Sequence, residues 1–555
     1  MMKHLRRSKR WLGAFALGAG LMAVLAFNSP DYFEISKQLD IFTHVFKEIS
    51  LYYVDDTEPG ELMEEALVPM LASLDPYTNF IPEEQVEDFQ MSQTGNYGGI
   101  GASVQTHKGR IIVAQPYPDY PAAKAGLQAG DELIRINGEE LAGRSSETIS
   151  EMLKGTPGTE VELTFLRGDK QQKLRLKREK IHISSVPYAG RLRNNVGYIA
   201  LRSFTQNAAG EILAAWEKME AEGPLDGLVL DLRNNPGGLL AEAIRVTNLF
   251  IPRGKAVVQT RGKIEEWQRT YKTQEKPHDL KIPLTVLING SSASASEIVA
   301  GTLQDYDRAV IIGQRSFGKG LVQESRQLPY GGQIKMTIAK YYTPSGRLIQ
   351  AIDYAERAED GRVSKIPDSL RSRFETIGGR PVYDGGGIDP DLSTEQPEVG
   401  QVVLALLRDL HLFDYATEYR RKHSELRVEP REFALSDSEW DDFRQWLAQR
   451  DFAYQTQTER RLEMLRQAAQ EEGYHQVLDD RLEALSDAYA KGEAGDLERY
   501  GDFIRQLLAE EIVSRYAFDG GRIANSLRHD AEVDTALAVL LDPSRYRTIL
   551  SADQG

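Results

Sequence analysis

Small hydroxyl residues crowd one stretch of this sequence, Asn289-Gly290-Ser291-Ser292-Ala293-Ser294-Ala295-Ser296-Glu297. The apolar run 284–288 reads as a strand and a helix begins near Ser296, so the serines fall on a strand-to-helix turn. At such a turn a serine oxygen stands exposed while the next main-chain amides face the place where an oxyanion would form. A lysine follows one helix and one strand later on a glycine-flanked loop, Phe317-Gly318-Lys319-Gly320, with Gln323 just beyond it. Pressed against apolar neighbours, for which Phe317 and Leu321 are the candidates, the Lys319 amine loses its proton. Bringing its pKa from roughly 10.4 to near neutrality costs about 4 kcal/mol. The neutral amine can then act as general base toward Ser294, the candidate nucleophile, and the chemistry implied is attack on an acyl carbon.

Serine and alanine also crowd many helix N-termini as caps and first-turn residues, so the companions of the turn decide its reading. In a right-handed βαβ unit the loop 318–320 returns to the sheet edge from which the serine turn leaves. Pro236-Gly237-Gly238 follows another apolar strand at that edge, where the catalytic loops of α/β sheets gather. Glycine there brings a bare main-chain N–H close to a ligand. Gln323 lies on a strand, where its amide either orients the amine or is an ordinary strand-edge group. A histidine base is the rival mechanism, but His278 sits in a charged loop and His182 ends a basic strand at a domain edge; neither is placed to serve a serine.

The elements that position these groups alternate. Strands are expected at 196–201, 227–232, 284–288 and 309–312, with helices through 208–220, 241–249 and 298–303, which predicts an α/β sheet covered by helices. Ahead of it, short strands at 102–104, 110–114, 132–136 and 160–166 form a small β-rich unit ending near Ile181. Ile35, Leu39, Phe42, Phe46 and Ile49 share one helical face, and Leu62, Ala66 and Leu67 mark a second short helix. From Gln401 onward the chain is mostly helical and polar. At 555 residues it exceeds one ordinary core, so several domains are expected.

Net charge is −16 with no long basic run after residue 10, which argues against a nucleic-acid partner. Cysteine is absent, which excludes thiol catalysis, disulfides and thiolate zinc sites. The nine histidines are scattered without ligand spacing, so no metal is expected. Lys3, Arg6, Arg7, Lys9 and Arg10 precede an apolar run over 11–27, the pattern of a signal peptide with a cleavage site near 24–26, or of an uncleaved anchor. Either way the folded part faces the far side of a membrane, and a periplasmic location is expected.

Gly98-Gly99-Ile100-Gly101, with the runs 120–127 and 130–138, forms a second constellation. A glycine-rich loop entering a strand presents amides to a carboxylate, beside a sheet edge that accepts a peptide as an extra strand. Together with Asp75-Pro76-Tyr77-Thr78, Asp231-Leu232-Arg233-Asn234-Asn235, Thr343-Pro344-Ser345-Gly346-Arg347 and Gly387-Ile388-Asp389-Pro390-Asp391, these motifs resemble, in order from about residue 71 to 392, the carboxyl-terminal processing proteases. That family consists of Ser-Lys peptidases with an embedded PDZ domain.

The resemblance implies Ser294 as nucleophile, Lys319 as general base, Gln323 positioning the lysine, and the amides of Ala295 and Gly238 as oxyanion donors, with Gly237 the alternative to Gly238. It implies capture of an apolar substrate C-terminus by Gly98, Gly99, Ile100 and Gly101, and no cofactor. The expected organisation is 1–27 signal peptide or N-terminal anchor, 28–96 N-terminal helical region, 97–181 PDZ domain, 182–400 serine protease core of crotonase- or ClpP-like α/β fold, and 401–555 helical C-terminal region. The tail could be solvated decoration, an oligomerisation arm or a dock for an adaptor, and a homo-oligomer is expected. The rivals are a catalytically silent PDZ scaffold or chaperone, and a hydratase-like enzyme on the same superfold.

Overall fold

Strands buried on both faces read as nearly continuous apolar runs, and 227–231 and 284–288 are such runs, interrupted only by Asp231 and Thr285. In the computed structural model, which describes residues 32–354, 357, 362–395, 399–493 and 495–552, both lie at the centre of a sheet. The expected targeting segment at 1–27 falls outside the described residues. No helix among those described is long and apolar enough to cross a membrane. The chain divides into two compact units between Phe80 and Ile81. The first holds helices α1 (Tyr32–Tyr52) and α2 (Pro59–Ala72), and α1 buries none of its residues. Asp75 closes the turn the sequence marks, its carboxylate accepting from the Tyr77 and Thr78 amides at 2.8 and 2.9 Å.

The second unit begins with helix α3 (Val86–Thr94) and the β-rich domain. Strand β1 (Asn96–Gly99) pairs antiparallel with β7 (Glu179–His182), joining the ends of that domain. Between them run β2 (Ala102–His107), β3 (Arg110–Pro116), β4 (Glu132–Ile136), β5 (Glu160–Arg167) and β6 (Lys170–Lys177). Helix α4 (Ser146–Leu153) is capped by the Ser145 hydroxyl and buries Ile149 and Leu153 in a core with Ile111, Val113, Ile136, Leu163 and Phe165.

The α/β sheet has the order β8 (Tyr188–Arg191), β9 (Val196–Ala200), β10 (Gly227–Asp231), β13 (Leu284–Ile288), β14 (Val310–Gly313), β17 (Leu392–Ser393). Only the β8–β9 pair is antiparallel. Helices α5 (Ala208–Ala221), α6 (Leu240–Asn248) and α7 (Ala295–Asp305) cover one face through Ile212, Trp216, Val246, Val299 and Leu303. A second sheet, which the sequence shows only as the strand of Gln323, comprises β11 (Ala256–Gly262), β12 (Arg269–Lys272), β15 (Leu321–Gln327) and β16 (Gln333–Tyr342), paired β15–β16–β11–β12.

The C-terminal region divides in two. Helices α8 (Gln401–Arg408), α9 (His411–Lys422), α10 (Asp437–Ala448) and α11 (Gly501–Ser526) share an aromatic-rich core around Tyr415, Trp440, Phe443 and Trp446. Helices α12 (Ala531–Leu540) and α13 (Pro543–Ile549) leave that bundle and cover the other face of the α/β sheet, where Val533, Leu537, Leu540 and Ile549 pack on Val196, Val229, Leu287 and Ile312. These helices are therefore neither decoration nor a detachable arm. Each of those side chains contributes about 1.5–3 kcal/mol by leaving water, so a chain cut at 401 exposes a whole face of its central sheet.

Candidate active site

Strands β10, β13 and β14 are parallel neighbours, so the loops that follow them leave from one sheet edge: 233–238, 289–294 and 314–320. Ser294 ends the middle loop at φ 55°, ψ −111°, a conformation that costs a non-glycine residue of order 1–3 kcal/mol and persists only where its surroundings hold it. Two groups the sequence left without a role do the holding. The fully buried Glu297 accepts from the Ser294 amide at 2.7 Å and the Lys319 amide at 2.9 Å on one carboxylate oxygen. On the other it accepts from the Ser316 hydroxyl at 2.5 Å and the Gly318 amide at 2.7 Å. Burial pushes its pKa up to about 7, against the lowering effect of these donors. Tyr341, on β16, places its hydroxyl 3.2 Å from the Ser294 carbonyl and also against the Lys319 carbonyl. Serine turn and lysine loop are thus tied together twice through their main chains.

Ser294, Ala295, Lys319, Gln323 and Gly238 line one cleft of about 400 Å³. Its walls include Phe89 of α3, Leu239, Leu240, Ile298, Leu321 and Val322. Leu321 stands where the sequence predicts an apolar wall for the lysine. Phe317 does not, being 44% exposed and outside the cleft lining, because the tight Gly318 turn at φ 87° sends consecutive side chains to different sides. The Gln323 amide donates to the Thr337 hydroxyl at 3.2 Å.

The two glycines differ in their amides. Gly237 N–H donates to the Asn235 side chain at 2.9 Å, whereas the Gly238 N–H has no acceptor among the described residues. Gly238 sits at φ 145°, where a Cβ would meet the Phe204 carbonyl oxygen at 2.5 Å. Ala295 is the first residue of α7, and a first-turn amide lacks an intrahelical acceptor. Asn235, wholly buried, also accepts on its carbonyl from Ala293 N–H and the Ser296 hydroxyl.

Further motifs brace the same loops. Arg233 pairs with Asp231 at 2.7 Å and with Asp530 at 2.7 Å at the start of α12. Burial pushes the Asp231 carboxyl up, but the Arg233 guanidinium outweighs it and the group lies below the usual range. Arg347, from the 343–347 motif, is buried against Asp305 at 2.9 Å, and Asp391 accepts from the Gln304 amide and from Ile311 N–H.

The Gly98–Gly101 loop lies apart from this cleft, at the mouth of a groove between β2 and α4 that Ile100, Ala102, Val104, Ser150 and Leu153 line. Of its four residues only Ile100 lines the groove. A Cβ at Gly98 would meet the Gly155 carbonyl oxygen at 2.2 Å, and one at Gly101 the Tyr120 Cβ at 2.3 Å, so these glycines also serve packing. The α3 residue Met91 lines this groove, while Phe89, Ser92 and Gln93 line the cleft of Ser294.

Comparison with known proteins gives this geometry a lineage. Over 321 residues the chain is 40% identical to the carboxy-terminal-processing protease of Bartonella bacilliformis, covering 57% of this chain and 73% of that one. The chain belongs to this protease family. The model of peptidase family S41 matches residues 195–356, that of the PDZ domain 98–177, and one described as "Probable PDZ-protease, C-terminal helical domain" 402–540, a region where the motifs read from the sequence alone find no match. A "Probable CtpA-like serine protease" of Staphylococcus aureus is 35% identical over 331 residues, 59% of this chain and 64% of that protein. Among solved structures, the photosystem II D1 C-terminal processing protease is 26% identical with a TM-score of 0.33, covering 64% of this chain and 92% of its own. The PDZ domain of the Vibrio cholerae carboxy-terminal protease, solved with a peptide, is 28% identical with a TM-score of 0.15, covering 16% and 99%.

Tyr341 offers a direct check on the double tie. Tyr341→Phe keeps the ring and removes only the hydroxyl, and is expected to lower kcat about tenfold with little change in KM, the signature of a positioning residue. A raised KM with unchanged kcat would place Tyr341 in substrate binding instead.

Proposed function

We propose that this chain is an exported endopeptidase that hydrolyses peptide bonds through an acyl-enzyme on Ser294. The observation that carries the reading is the cleft itself, where the strained Ser294, Lys319, and the unengaged amide of Gly238 meet. Lys319 in its neutral form takes the Ser294 proton as Oγ attacks the scissile carbonyl. The oxyanion that forms is held by the Ala295 and Gly238 amides. The Lys319 ammonium then protonates the departing amine, and the regained neutral amine activates the water that releases the acyl group. Gln323, fixed by Thr337, orients the lysine. The groove of Ile100, Ala102, Val104 and Leu153 takes the apolar C-terminus of the substrate as an added strand, with the 98–101 loop at its carboxylate. The exposed apolar face of α1 supports self-association.

The test uses a reporter ending in an apolar tail, as free acid and as C-terminal amide. The free acid is expected to be cleaved at least about tenfold faster, and acid-quenched enzyme should carry the acyl mass on the peptide containing Ser294. An adduct mapped to another residue removes the assignment of the nucleophile, and equal rates for acid and amide remove tail capture.

A further inference from the structure

Strands β15 and β16 form one wall of the cleft. Leu321, Val322, Gln323 and Ser325 line it from β15, across a register shift between Val322 and Gln323, and Lys335 and Tyr341 line it from β16. In the register of the pair, Gln323 stands opposite Thr337 and Ser325 opposite Lys335. Side chains two residues apart on one strand face are about 6.6 Å apart, so Lys335 occupies the position one step beyond the Gln323–Thr337 contact, leading away from the serine turn.

Lys335 is half-buried, and burial lowers its pKa below that of an ordinary lysine. Its ammonium has no carboxylate partner among the described residues. Among the described residues that line the cleft there is no aspartate or glutamate. With Lys319 acting as a neutral base, Lys335 is the one cation among the described residues that line the cleft. A partly desolvated charge without a partner is unfavourable, and the deficit is removed when a ligand brings the opposite charge.

We propose that Lys335 is a specificity-determining residue that takes a carboxylate of the bound substrate chain. The inference rests on the proteolytic reading above and adds to it a preference for negative charge in the cleft, distinct from the apolar capture in the groove of the β-rich domain. The carboxylate can be an acidic side chain flanking the scissile bond or the α-carboxylate of the chain end.

Two peptide series distinguish these sources. Quenched peptides sharing one apolar free-acid tail carry Glu or Gln at each position flanking the scissile bond. Short peptides compare a free with an amidated terminus. Wild type, Lys335→Met and the charge-retaining Lys335→Arg are measured for kcat/KM. The expected result is a Glu-over-Gln or acid-over-amide ratio of about tenfold in the wild type, falling to near one in Lys335→Met and kept in Lys335→Arg. Whichever series shows the ratio names the source. Ratios in Lys335→Met equal to those of the wild type overturn the subsite while leaving the protease standing. Failure of the wild type to cleave any peptide, neutral ones included, overturns the proteolytic reading and this inference with it.

Discussion

Ser294→Ala is expected to lower kcat/KM by about 10⁵-fold, and adding Lys319→Met should lower it hardly further. The reasoning is geometric. The Ser294 turn and the Lys319 loop follow adjacent parallel strands, β13 and β14, and are joined through Glu297 and Tyr341, which supports the proposal that hydroxyl and amine act as one unit. In that mechanism removing either disables the same proton transfer, and their effects should be strongly non-additive. Lys319→Met alone is expected to cost nearly as much as Ser294→Ala, since methionine keeps the buried stem and deletes only the amine. What survives in all three variants is capture of the substrate tail by the β-rich domain, measurable as unchanged peptide affinity by fluorescence anisotropy. The assignment fails if Ser294→Ala keeps more than about a hundredth of wild-type activity, or if the two single losses multiply in the double variant.

How much of this arrangement was legible beforehand follows from which interactions are local. The sheet-edge site could be read because β10, β13 and β14 are apolar runs with small or glycine-rich turns after them, and parallel pairing sends such turns to one edge. Tyr341 could not be read, since it lies 47 residues from the Ser294 carbonyl it supports, on a strand whose residues are mostly only part-buried. Glu297 was visible as a letter beside the serines, but in isolation it is an ordinary first-turn acid favoured by the helix dipole. Only the return of the 316–319 loop shows that its carboxylate is filled by four donors. Phe317 misled for the opposite reason: an apolar residue next to a lysine in sequence need not share its side of a glycine turn. The tail of the chain hid its division because α12 and α13 follow the bundle helices as further short helices with apolar residues to bury. Amphipathicity tells that a face is covered, not by what.

Glu297→Gln is expected to lower kcat about 100-fold and to change how both activity and stability respond to pH. The carboxylate accepts two donors on each oxygen. A glutamine amide turns an N–H₂ group toward one of those pairs, leaving buried donors facing a donor, at about 1–3 kcal/mol for each group left unpaired. In the wild type the four donors are best met by the ionised form, so activity should rise as pH passes through about 7, the value to which burial lifts this group. In Glu297→Gln, where that group no longer titrates, the rise of activity through about pH 7 should be lost. The stability effect has the opposite sense. Between pH 4.5 and about 7 the unfolded chain has released this proton while the folded form still holds it, so the native state binds more protons and loses stability as pH rises across that window. The full span corresponds to about 3 kcal/mol. Urea midpoints measured at pH 5 and pH 8 should therefore fall more steeply for the wild type than for Glu297→Gln, where the titrating group is gone. Parallel pH dependence in the two proteins would mean that Glu297 stays ionised throughout and braces the site without titrating.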